Sequence, residues 1–152
     1  MTRVVDYSIP VYELRLHRVR DIGGASRRSR FDNPRALEPI LHSYFEGLDR
    51  EHFAVLLLDT KFHILGINTV SIGTLDTAIV HPREVFKPAI LANASAIILA
   101  HNHPSGDPTP SEDDLQLTTR LQQAGDLLGI HVLDHIILGN YADSLKALGY
   151  ID

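Results

Sequence analysis

The 152-residue chain contains no cysteine, which excludes disulfides, iron–sulfur clusters and thiolate zinc sites. It has no apolar run near the roughly 20 residues that span a bilayer. A secretory leader is not expected either, because Arg3, Asp6, Pro10 and Glu13 interrupt any apolar core at the N-terminus. Low-complexity tracts and internal repeats are also missing. A cytoplasmic location fits these absences. Basic charge is in short supply, with 14 Lys and Arg against 19 Asp and Glu and a net charge of −5. That balance is wrong for a dedicated nucleic-acid binder. The deficit is uneven, since residues 1–30 carry seven Arg against Asp6, Glu13 and Asp21. Such a segment could contact phosphates, but solvated arginines on an edge strand and a loop explain it more simply.

What is present is an ordinary globular composition, 44% hydrophobic. The reading is a basic N-terminal strand and loop over residues 1–30, then one domain over residues 31–152. Tyr12, Leu14 and Leu16 alternate with Glu13, Arg15 and His17, so Val11–Val19 reads as a half-buried strand. Residues 21–33, with Gly23-Gly24, form a loop. A helix follows from about Pro34 to Phe45, capped by Asn33 and ended by Gly47, with Pro39 as a possible start or kink. His52–Asp59 reads as a central strand and His63–Ile72 as its hairpin partner, with further pairing open over Leu75–Val80. Pro82 opens a helix of about ten residues. Ala96–Ala100 is another buried strand. A helix from Ser111 to Leu128 takes Leu115, Leu117, Leu121, Ala124, Leu127 and Leu128 as its apolar positions and Gly129 as its stop. A strand over His131–Leu138 and a short element over Asp143–Leu148 complete an α/β sandwich with a mixed sheet and three helices.

The chemistry gathers after the Ala96 strand, in His101-Asn102-His103-Pro104-Ser105-Gly106-Asp107-Pro108-Thr109-Pro110-Ser111-Glu112-Asp113-Asp114. Residues two apart on a strand point the same way, so both imidazoles face one side of its end. Three prolines and a glycine then force a stiff loop, and the next helix brings back a carboxylate. Two imidazoles and a carboxylate are the ligand set of a catalytic zinc with an open fourth position. A general base is needed beside it. Glu51 is preferred, since it precedes the strand expected beside the histidine strand; Glu84, at a helix start, stays open. Ser111 could donate to a developing oxyanion, although with Asp114 it also makes a capping box in which Asp replaces the usual Glu or Gln. His131 and His135 read as lying on one strand face through their even spacing. His135 fits a satisfied core or edge histidine better than a ligand. Thr69, Ser71 and Thr74 read as strand and turn residues, with Thr74 able to line a cleft.

Glu51, His101-x-His103-Pro104, Ser111 and Asp114 resemble the JAMM (JAB/MPN+) metalloprotease motif. The surrounding text, Leu56-Leu57-Leu58-Asp59-Thr60-Lys61, His81-Pro82-Arg83-Glu84-Val85-Phe86 and the run from His101 to Ser111, is similar to the RadC-like JAB domain of bacterial DNA repair proteins. The resemblance covers roughly residues 34–150. It implies a deaminase-like α/β/α sandwich, Zn2+ held by His101, His103 and Asp114, Glu51 as acid/base and Ser111 as oxyanion stabiliser. Asn102 stands where the eukaryotic deubiquitinating members carry Ser or Thr. The implied activity is zinc-dependent hydrolysis of a peptide or isopeptide bond in a protein substrate. The alternative is a repair-associated binding protein that contacts DNA and whose metal site is structural or vestigial. A nucleobase deaminase fares worst, because its His-x-Glu and Pro-Cys-x-x-Cys elements are absent.

Overall fold

The structure, a computed structural model, describes residues 2, 7–23, 30–73 and 80–152. Eight elements follow in order: α1 (Pro34–Phe45), β1 (His52–Leu58), β2 (Ile64–Ile72), α2 (Pro82–Leu91), β3 (Ala96–Asn102), α3 (Glu112–Leu128), β4 (His131–Leu138) and β5 (Ala142–Ser144). The strands form one open mixed sheet in the order β2-β1-β3-β4-β5. Among neighbouring strands only β3 and β4 run parallel, joined by the helical crossover α3, while α2 carries the chain from β2 past β1 to β3.

Alternation along β1 and β3 builds two cores. Phe53, Val55 and Leu57, with Ile97 and Leu99, pack under α2 and α3 against Val85, Phe86, Leu117 and Leu121. Ala54, Leu56 and Leu58, with Ala96, Ile98 and Ala100, pack under α1 against Leu37, Leu41, Tyr44 and Phe45. One helix on one face and two on the other make the α/β/α sandwich expected from the sequence. Both faces of β3 are covered, which is why Ala96–Asn102 is buried throughout.

Local chemistry sets the helix ends. Asn33 Oδ1 accepts from the Ala36 N–H at 3.1 Å, and α1 continues unbroken through Pro39. Gly129 stops α3 with φ of 72°, a left-handed conformation that glycine adopts without a Cβ clash. Inside α3, an ideal Cβ on Gly125 would lie 2.4 Å from the Ile130 carbonyl oxygen, so this turn packs tightly against the start of β4.

Three expectations need correction. Residues 11–19 form no strand: Tyr12 and Leu14 are more than three-quarters exposed. Alternation is not enough without a partner for the backbone groups, and beside β2 the described residues give only an isolated Arg30–His63 bridge. Leu127 and Leu128 are exposed, because the buried face of α3 runs through Asp114, Leu117, Thr118, Leu121 and Gly125. Finally, His131 and His135 lie on opposite faces. Ile97 pairs with Val132 but Ile98 pairs with Asp134, leaving Leu133 as an extra residue, a β-bulge. Beyond it the alternation is inverted, and His135 takes the place beside Leu99. The possible pairing over Leu75–Val80 and the cleft role of Thr74 fall almost wholly outside the described residues. Among the described residues no helix is long and apolar enough to cross a membrane.

Candidate metal centre

The end of β3 and the start of α3 converge on one point. His101 Nε2 and His103 Nε2 are 3.0 Å apart. Asp114 Oδ1 lies 3.4 Å from the first nitrogen and Oδ2 lies 3.4 Å from the second. Among the described residues these three form the group able to hold a metal ion. Zinc bonds of about 2.0–2.1 Å in a tetrahedron put neighbouring donors about 3.3 Å apart. The triangle therefore has the size of one tetrahedral face.

The hydrogen bonds around the triangle assign its protons. The Thr118 hydroxyl donates to the Asp114 carbonyl at 2.7 Å, which can only accept. Thr118 Oγ1 must therefore accept from His135 Nδ1, 2.6 Å away. A neutral His135 then has a bare Nε2, which accepts from His101 Nδ1–H at 2.7 Å. Burial holds both of these imidazoles below their ordinary titration range. Neutral His101 is left with its Nε2 lone pair facing the site. His103 reaches the same state separately, since its Nδ1–H donates to the Asp107 carbonyl at 2.8 Å. Two lone pairs and a carboxylate face one another, an arrangement that calls for a cation.

Asp114 is set by the helix it opens. Its Oδ2 accepts from the Ser111 N–H at 2.8 Å, and Ser111 Oγ accepts from the Asp114 N–H at 3.1 Å. The capping box is real and it aims the carboxylate; cap and ligand geometry are the same contact. Burial alone would raise the Asp114 pKa, but His101, His103 and the Ser111 N–H outweigh it and hold the carboxyl well below the usual carboxylate range. Asp114 pushes His103 the other way, above its ordinary value and against partial burial.

Glu51 comes from the neighbouring strand. Phe53 pairs with His101 in an antiparallel register, so Glu51, just before β1, lies at the end of the sheet where His103 follows β3. Its charge acts on both His101 and His103. Glu84 instead sits in the first turn of α2, paired to Lys87 at 2.9 Å and Arg83 at 3.7 Å. Asn102 points away from the two histidines into the α1 face. Its Oδ1 accepts from the His52 N–H at 2.7 Å and its amide donates to the Arg50 carbonyl at 3.1 Å. It thus clamps the residues on either side of Glu51.

The loop is held from β4. His103 N–H donates to Leu138 O at 2.8 Å, and Asn140 N–H donates to Gly106 O at 2.6 Å. Gly106 has φ of 92°. Beside His103 opens a cavity of about 420 Å³, lined in part by His42, Glu46, Asn102 and Asn140. Phe53 stacks on His101 and meets His135 edge-on, closing the inner side of the imidazoles. Sequence reasoning had no part for Thr118 or Asn102 and left His135 as a core residue. Thr118 carried a signal: it stands four residues after Asp114, on the same helix face.

An α/β/α sandwich carrying a His-x-His strand end and a helix-borne Asp defines a JAB-type domain. The RadC-like JAB domain family model matches residues 31–150, and the chain belongs to that family. It is 51% identical over 121 residues to a UPF0758 protein of Desulfitobacterium hafniense, covering 79% of this chain and 53% of that protein. It is 54% identical over 121 residues to a UPF0758 protein of Caldanaerobacter subterraneus, covering 79% and 52%. To one from Desulforamulus reducens it is 60% identical over 105 residues, covering 68% and 46%. The chain spans about half the length of the curated relatives it matches.

Proposed function

We propose that the chain is a zinc-dependent hydrolase of the JAMM type, cutting a peptide or isopeptide bond. His101, His103 and Asp114 hold the ion, Glu51 is the general acid/base, and Ser111 stabilises the oxyanion. The observation carrying this reading is the convergence of two bare imidazole nitrogens and one carboxylate on a point the size of a zinc ligand face. Zinc bound there supplies a Lewis acid that brings the pKa of water towards about 7.

The chain's own groups supply the remaining steps. Glu51, at the same end of the sheet as the histidines, takes the proton lost as water adds to the scissile carbonyl carbon. It returns that proton to the leaving nitrogen as the C–N bond breaks, which gives an acid and an amine. Ser111 Oγ already accepts from the Asp114 N–H, so its own proton is free to point outward and donate to the oxygen that gains charge. The cavity beside His103 is the approach for an extended polypeptide.

The test combines metal analysis with turnover. Purified protein is expected to carry about one zinc per chain and to cleave members of a peptide and isopeptide library. Glu51→Gln is expected to keep zinc and lose about 10²–10⁴-fold in turnover, the usual weight of a general acid/base. Metal-free protein that bound DNA tightly, with a salt dependence relieved by changing Arg27, Arg28 and Arg30, would replace the hydrolase with a binding module.

A further inference from the structure

His135 and Thr118 are not among the three candidate ligands, yet they close a ring around the site. The ring runs from His101 on β3 to His135 on β4, to Thr118 on α3, and back to Asp114 one turn earlier. All four residues are buried. Every contact in the ring is a donor–acceptor pair running in one direction. That direction is set at a single point, the Asp114 carbonyl, which cannot donate. A one-residue bulge in β4 is what turns His135 toward the ring.

From this geometry we infer that His135 and Thr118 are positioning residues of the metal centre, fixing His101 in the Nδ1–H tautomer so that Nε2 presents a lone pair to the ion. The inference rests on the zinc reading of the site. The Thr118 hydroxyl is its key group. Without it the His135–His101 pair has no preferred direction, since either order leaves one buried group unpaired. The reversed order places a proton on His101 Nε2, where the ion must bind. Ligand orientation of this kind is commonly worth about 10–100-fold in metal affinity.

The experiment uses the full chain. Zinc affinity is measured by competition with a chromophoric chelator, and histidine tautomers are read from imidazole nitrogen shifts in metal-free protein. The wild type is expected to show His101 and His135 as Nδ1–H. Thr118→Val is expected to mix the His101 tautomers and weaken zinc by about 10–100-fold, and Thr118→Ser to restore both readouts. Folded Thr118→Val with wild-type tautomers and affinity would overturn the inference and leave the zinc reading standing. A wild type with the assigned tautomers and no zinc uptake would instead sink the zinc reading, and this inference with it. If Thr118→Val does not fold, His135→Gln and His135→Met decide. The glutamine amide can accept from His101 and donate to Thr118, so it is expected to keep affinity that methionine loses; equal affinities overturn the role.

Discussion

Burial keeps His101 and His135 neutral in the folded chain, whereas both are ordinary histidines once unfolded. Below about pH 6.5 the unfolded state therefore takes up protons that the folded state refuses, and stability falls with pH. Each such histidine contributes a slope of about 1.4 kcal/mol per pH unit. His103 works in the opposite sense over a narrower window, because its raised pKa lets the folded state hold a proton between 6.5 and its folded value. Denaturant melts of chelator-treated protein between pH 7.5 and 5 are expected to show a net loss on acidification, and a flat profile would contradict the burial of the pair. Zinc uptake should also weaken as pH falls through the His103 value, since the proton and the ion compete for one nitrogen.

The site residues were legible in the sequence to unequal degrees. His101, His103 and Asp114 lie within fourteen residues of each other, so a strand end, a stiff loop and a helix start suffice to bring them together. The choice of Glu51 as candidate base rests only on the expectation that its strand lies beside the histidine strand, and β1 and β3 do pair. His135 stands 34 residues beyond His101, and its face depends on a bulge that residue types do not announce.

Among the elements, the loop between β3 and α3 depends on its fit to the β4–β5 turn. A Cβ on Gly139 would stand 2.4 Å from the Gly106 carbonyl oxygen and 3.0 Å from Pro108 N. Gly139→Ala is expected to cost about 1–3 kcal/mol by overpacking and to weaken zinc uptake by shifting His103, both read from melts with and without zinc. Gly129→Ala is the control. It is strained by its φ of 72° but has nothing within 4 Å of a new Cβ. It should cost stability and leave zinc affinity alone. Helix boundaries were readable because Asn33, Pro82, Ser111 and Gly129 each act within one turn. The N-terminal alternation over residues 11–19 misled because a strand is a property of a pair, and one chain segment does not reveal its partner.

For the whole molecule, the candidate ligands come from β3 and α3, which are separate layers of the sandwich. An ion shared between them binds the folded chain and has no site in the unfolded one. At a free concentration one hundred times its Kd, such an ion stabilises by about 2.7 kcal/mol. Thermal melts with zinc and with chelator are expected to differ accordingly, and Asp114→Asn is expected to abolish the difference. An unchanged midpoint in the wild type would mean that the triangle holds no ion. The overall architecture was the most legible level, because two-sided burial of β1 and β3 leaves continuous apolar runs that only a covered central strand tolerates.

The extra residue at Leu133 makes chain length, and not only chemistry, a carrier of meaning. Paired straight through with every residue kept, β4 would set Leu133 beside Ile98 and His135 beside Ala100, turned toward α1 and away from His101. Among kindred sequences, a β4 that lacks the bulge should therefore carry one residue fewer between the glycine that ends α3 and the Asp-His pair.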